Sequence, residues 1–190
     1  MSVHPRFPSA LAALAVLLLP PGLAAQEAMG NDAMSQEDMI ASALSAAPDA
    51  IADNAAVADL QGNVLRAGSN GYTCLPDDPN MEGNSPMCLD ETWLAWAQAL
   101  LGGEAEPPAI EHVSFGYMLQ GDFPSSNLSP AHTEMTADNE WIVNSGPHVM
   151  VLFPDASMMD GISTDKDNGG PWVMWRESPY IHLMIPVTQK

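Results

Sequence analysis

Two cysteines, Cys74 and Cys88, constrain this chain more than any other feature. They enclose Leu75 to Met87, a run of Pro, Asp, Asn, Gly and Ser turn formers with no packing pattern of its own. A bond between them would close that loop and restrict the unfolded chain, worth about 3 kcal/mol on the chain-entropy account. A reactive or metal-holding pair is the alternative, but the Cys-x-x-Cys spacing such pairs use is missing.

Oxidation of the pair depends on where the chain is sent, and the N-terminus bears on that. His4 and Arg6 make a weakly basic start, and Ala10 to Leu19 is an apolar run. Pro20, Pro21 and Gly22 break the run, and Leu23-Ala24-Ala25 offers small residues for cleavage. This is the order of a secretory signal peptide, and the run is too short to span a bilayer. Residues 1–25 are expected to be a cleaved signal peptide, 26–34 a flexible lead, and 35–190 a single domain. No later run is long enough for a transmembrane helix. An exported chain meets an oxidising compartment, so a Cys74–Cys88 disulfide is expected, in a periplasmic or secreted protein.

The chain carries 24 acidic and 5 basic residues, a net charge of −19. Losing Arg6 with the leader takes this to −20, because residues 1–25 hold no acid. Such a surface repels phosphate backbones and anionic membrane faces, so nucleic acid is not an expected partner. It favours solvation and attracts cations.

Local patterns set the elements. Ser35 can cap a helix with Glu37 and Asp38 in its first turn, and Met39, Ile40, Ala43, Leu44 and Ala47 recur at helical spacing. Residues 56–60 and 64–67 read as a hairpin about Gly62, and 72–75 as a strand leading into the cysteine loop. Asp90 is an N-cap for a helix whose apolar stripe is Trp93, Leu94, Ala97, Leu100 and Leu101, stopped by Gly102-Gly103. Val113, Phe115, Tyr117 and Leu119 share one face of a half-buried strand. Residues 121–145 read as a long polar loop. Three short strands rich in His, Met and Trp close the chain, the last two joined through Arg176 to Pro179. The fold class expected is α+β: one small domain, a mainly antiparallel sheet, two or three helices and one disulfide.

Asn-Gly-Tyr-Thr-Cys at 70–74, Pro-Met-Cys-Leu-Asp at 86–90, Gly-Pro-His-Val-Met at 146–150, Gly-Gly-Pro-Trp-Val-Met-Trp at 169–175 and Pro-Tyr-Ile-His-Leu-Met-Ile-Pro-Val at 179–187 stand out. Together they resemble a group of small exported proteins of Gram-negative bacteria. The resemblance implies an exported bacterial protein and carries over no catalytic residues.

The sharpest chemical pattern is a repeated His-x-Met: His148 with Met150, and His182 with Met184. On a strand, residues i and i+2 point to one face, so each pair presents an imidazole beside a thioether. Were the strands neighbours in register, four soft ligands suited to Cu(I) would converge. Met174 or Met158-Met159 would supplement them, and Trp172 or Trp175 would cap the ion by cation–π attraction. Ordinary core packing accounts for the same residues, since Met is a common gap filler. Asp165 to Gly170 matches a calcium loop in part, but Gly169 and Arg176 stand where ligands belong, so an Asx–Gly turn is expected. His132 with Glu134, and Glu111 with His112, read as loop side chains or as acid–base pairs. No nucleophile elbow, phosphate loop, metalloprotease helix or haem attachment motif occurs.

The leading expectation is therefore an exported, non-enzymatic binding or accessory protein that takes Cu(I) or another soft metal. The rivals are a small secreted hydrolase, using His132, Glu134 or His148 with an Asp, and a structural partner of another envelope protein. Mass spectrometry of the exported protein should find its first residue near Gln26; an intact Met1 would reject the signal peptide.

Overall fold

The computed structural model describes residues 34–187, together with Met1. The expected signal peptide and nearly all of the flexible lead lie outside the described residues. Eight strands form one mixed sheet, in the order β2-β1-β3-β4-β5-β8-β10-β9. They are β1 (Ala56–Ala58), β2 (Val64–Arg66), β3 (Tyr72–Leu75), β4 (Met87–Asp90), β5 (Ser114–Met118), β8 (His148–Leu152), β9 (Trp172–Met174) and β10 (His182–Pro186). Only β1 and β3 pair in parallel. A separate pair, β6 (Ser125–Ser126) with β7 (Trp141–Ile142), sits within the long polar segment. The helices are α1 (Gln36–Leu44), α2 (Asp49–Ala52) and α3 (Glu91–Leu101), with a 3-10 turn at Ala156–Met159. The α+β class and single domain expected from the sequence are what the chain forms. Among the described residues, no helix is long and apolar enough to cross a membrane.

One sheet face meets α1. Ser35 caps that helix by accepting a hydrogen bond from the Asp38 N–H. Its Ala43, with Ala46 and Ala47 from the turn that follows it, comes down on Val57 and on Cys74 and Cys88. The cysteines are directly opposed across β3 and β4 and form the disulfide, both fully buried. Residues 87–90, expected only as the approach to a helix cap, form β4 because their backbone pairs with β3 on one side and β5 on the other. The outer strands on this face carry their own cluster of Val151, Val173, Leu183 and Met159.

The opposite face meets α3. The Asp90 side chain accepts from the Trp93 N–H at 2.9 Å, from the Ser114 hydroxyl, and from the Phe115 N–H at 2.6 Å. One carboxylate thus caps the helix and ties its start to β5. Trp93 and Trp96 are the residues α3 buries, whereas Leu101, placed in the stripe by spacing alone, is 85 % exposed. The end of β5 explains a second difference. Ser114, Gly116 and Met118 face α3 and are buried, while Val113 and Phe115 remain about two-fifths exposed. The alternating hydrophobics lie on the less covered side because α1 covers only the β1–β4 end of it. The polar segment after β5 is solvated only in part: Asp122 and residues 125–129 are buried, whereas residues 131–138 are exposed.

Replacing Cys88 with Ser should lower the free energy of unfolding by about 2–4 kcal/mol, chiefly by freeing the unfolded loop. Denaturant titration measures it; an unchanged midpoint would show that the bond contributes nothing to stability.

Candidate functional site

The residues under α3 form rows that run straight across the strands. Register places Leu89 opposite Gly116, Gly116 opposite Met150, Met150 opposite Met184, and Met184 opposite Trp172. Gly116 is the gap in that row. A Cβ there would lie 2.9 Å from both the Leu89 Cδ2 and the Met150 Cε, and 3.5 Å from the Trp93 ring. The missing side chain lets the Met150 thioether and the Trp93 indole approach the sheet.

Both predicted His-x-Met pairs do point to one face, and both are buried. The antiparallel pairing brings their sulfurs together, Met150 against Met184, but not their imidazoles. His148 faces Pro186, and continuing the register puts His182 beside Leu152. The two rings therefore start four residues apart along the strands, about 13 Å at strand rise. Parallel neighbours would have aligned all four side chains; antiparallel ones cannot.

What does converge is a different set. A cavity of about 110 Å³ lies between α3 and the sheet, partly open to solvent. Four methionines line it, Met87, Met118, Met150 and Met174, together with His182 and the indoles of Trp93, Trp96 and Trp175. His148 and Met184 lie outside this lining. Met174 is directly opposite His182, and Met150 is on the diagonal, within reach for a long side chain. The sequence pattern had singled out His182 and Met150, with Met174 as a supplement. Met87 and Met118 sit on other strands, where no spacing relates them to a histidine, and only sheet register brings them in.

His182 is caged by rings. Trp93, Trp96 and Trp175 meet it edge-on, with centroids 5.5, 5.5 and 5.0 Å away. Its Nδ1 lies 3.0 Å from the Tyr180 carbonyl, so Nδ1 carries the proton and Nε2 the lone pair. Burial drives its pKa down to about 4, with His148 adding to the shift and the Tyr180 carbonyl opposing it. The ring is thus neutral at physiological pH. Trp175 stacks on Trp96 at an interplanar angle of 6°. It holds a positive φ of 58°, costly for a bulky residue. Two bonds hold it there: its N–H donates to the Asn127 carbonyl at 2.7 Å, and its Nε1–H to the Ser126 carbonyl at 2.8 Å. Next to it, Arg176 makes a bidentate pair with Glu140 at 2.9 and 2.7 Å, which holds that carboxyl below its usual range.

Asp122 is the one acid in the cavity wall. Burial pushes its carboxyl up, with His148 and the Phe123 N–H opposing. His148 gives its Nδ1–H to the Gly146 carbonyl at 2.7 Å, and its buried Nε2 has no hydrogen-bond partner among the described residues.

The other candidates are arranged differently. His132 and Glu134 are exposed on the loop. His132 Nδ1 is 3.3 Å from the Ser126 hydroxyl, but that hydroxyl is buried and donates to the Asn139 carbonyl at 2.7 Å. Its proton holds the loop together, which is a structural use. Glu111 and His112 are exposed beside α3. Asp165 to Gly170 closes on itself: Asp165 accepts the Asp167 N–H at 2.9 Å and Asn168 accepts the Gly170 N–H at 2.8 Å, as an Asx turn does. No group of three or more His, Cys, Asp or Glu side chains suited to a metal occurs among the described residues.

No family model, curated protein or solved structure matches the chain. The chemistry of the cavity's own walls is therefore what supports a function.

The depressed His182 pKa has a sign. The unfolded ring binds a proton below about 6.5 and the folded ring only near 4, so the contribution is fully present above 6.5 and lost as pH falls through 4. Between pH 7 and pH 4 wild type should lose about 3 kcal/mol that His182→Gln does not. Asp122 acts with the opposite sign in both proteins and cancels in the comparison. Parallel pH curves for the two proteins would mean that His182 titrates as it does in water.

Proposed function

We propose that this is an exported, non-enzymatic protein that binds one cuprous ion in the cavity under α3. The observation that carries the reading is the lining itself: four thioethers, one neutral imidazole and three indoles around one small space. Thioether and imidazole donors select Cu(I) over harder ions. His182 would ligate through Nε2, with Met150 and Met174 as the nearest sulfur donors by register, and Met87 and Met118 behind them. The indoles would exclude water and attract the ion through their faces. The disulfide and the acidic surface suit a compartment outside the cytoplasm, the periplasm by the resemblance noted above. A small apolar molecule is the second occupant these walls would accept, since apart from Asp122, Ser125, His182 and the indole N–H groups they present carbon and sulfur. The hydrolase reading has less support, because no histidine among the described residues is hydrogen-bonded to a carboxylate.

Anaerobic competition against a chromogenic Cu(I) chelator tests the proposal. Wild type should take up one ion. Met150→Leu/Met174→Leu should keep the fold, since the swaps nearly conserve volume, and lose the ion. Met184→Leu should retain it, because Met184 does not line the cavity. With His182 depressed to about 4, proton competition should set in only near that pH rather than near 6.5. Equal uptake by wild type and the double variant would falsify the assignment.

A further inference from the structure

The cavity is not sealed on all sides. A groove of about 420 Å³ lies at the C-terminal end of α3, between Met81, Pro130, His132 and Trp141. Leu100, Leu101, Phe123, Ser125 and Trp175 line both the groove and the cavity, so the two spaces share a wall of five residues. That wall is what separates the groove from the space the inner thioethers line. Leu101 stands 85 % exposed at its outer edge.

Soft donors occur on the outer side as well as the inner. Met81 is 46 % exposed in the groove wall, and it comes from the loop the disulfide closes. That loop is seated against the segment carrying Asp122 and Phe123. Gly83, at a φ of 105°, passes so near that a Cβ would lie 2.8 Å from the Asp122 carbonyl oxygen. The loop is braced internally by the Ser85 N–H, which donates to Asp77 at 2.7 Å. His132 lines the same groove. Its Nδ1 is turned to the Ser126 hydroxyl, which leaves Nε2 for another partner.

We infer that the cavity is filled through this groove, and that Met81 and His132 form an outer soft-cation site there which hands the ion inward past Leu101, Phe123 and Trp175. This rests on the cuprous reading of the cavity and adds a loading site to it. The transfer is a ligand exchange: Cu(I) leaves one thioether and imidazole for another set, with no change of oxidation state. The net negative charge of the chain attracts cations to the protein as a whole.

Two measurements separate the loading site from the inner one. In anaerobic stopped flow, Cu(I) is transferred from a weak chelator to wild type and to Met81→Leu/His132→Gln. The double variant should keep the equilibrium affinity and load about tenfold more slowly, as a lost encounter site does. A drop in both, or in neither, overturns the outer site. The path is tested without metal, by xenon NMR under pressure, since an apolar cavity admits xenon. Leu101→Trp should slow xenon exchange and Leu101→Ala should speed it, both at an exposed position that spares the fold. Exchange equal in all three proteins overturns the path. If wild type takes up no Cu(I) at equilibrium, the cuprous reading fails and the outer site with it, and the xenon rates alone still decide whether the groove leads to the cavity.

Discussion

The Asp90 carboxylate is the interaction on which the site depends. It ends β4, caps α3 and binds the β5 backbone at once. A helix lying over a sheet can slide or swivel as long as only apolar contacts hold it, since those are non-directional. Three hydrogen bonds to one side chain remove that freedom at the start of the helix. Trp93 and Trp96, three and six residues on, are then delivered over the row of Leu89, Gly116 and Met150. At the other end, the Tyr180 hydroxyl donates to the Glu104 carbonyl at 2.9 Å and ties the β9–β10 hairpin to the turn after α3. The cavity is what remains between two anchored ends, beside a strand whose glycine lets Met150 and Trp93 close onto the sheet.

The wall that Trp175 forms carries backbone strain. Trp175 and Glu140 both sit at positive φ, and they are next to one another in space through the Arg176–Glu140 pair. Unusual backbone of this kind persists only where the surroundings over-determine it. Here the polar segment 125–129 does so, burying its serines and Asn127 and offering carbonyls to Trp175 and to the Glu177 N–H. A stretch rich in polar residues is thus used as internal scaffolding. Its hydrogen-bonding capacity is spent on the chain rather than on water.

Charge follows the same division. The outside carries nearly all of the acids, while the cavity holds one imidazole and one carboxyl whose environments push both toward their neutral forms. A neutral imidazole with its Nδ1–H already committed is a better soft-ion ligand than a protonated one, because no proton has to leave. Burial thus both costs stability in acid and keeps the Nε2 lone pair free of a proton.

The sequence by itself determined the local events. Ser35 and Asp90 as caps, the turn at Gly62 and the His-x-Met alternation all depend on residues within a few positions of each other, where geometry is set by the backbone period. It also indicated the α+β class and the single disulfide. Tertiary structure decided everything that depends on strand order and direction. Whether two His-x-Met strands align or oppose their histidines is a matter of pairing sense, and β8 and β10 run antiparallel. Which face of β5 is buried depends on where α1 ends and α3 begins, and alternation alone is symmetric between the two faces. Met87 and Met118 enter the cavity through cross-strand register, and Trp96 through the rotation of α3 that Asp90 imposes. Such neighbours are separated by tens of residues along the chain, so no local spacing encodes them, and only the packed sheet brings their side chains to one place.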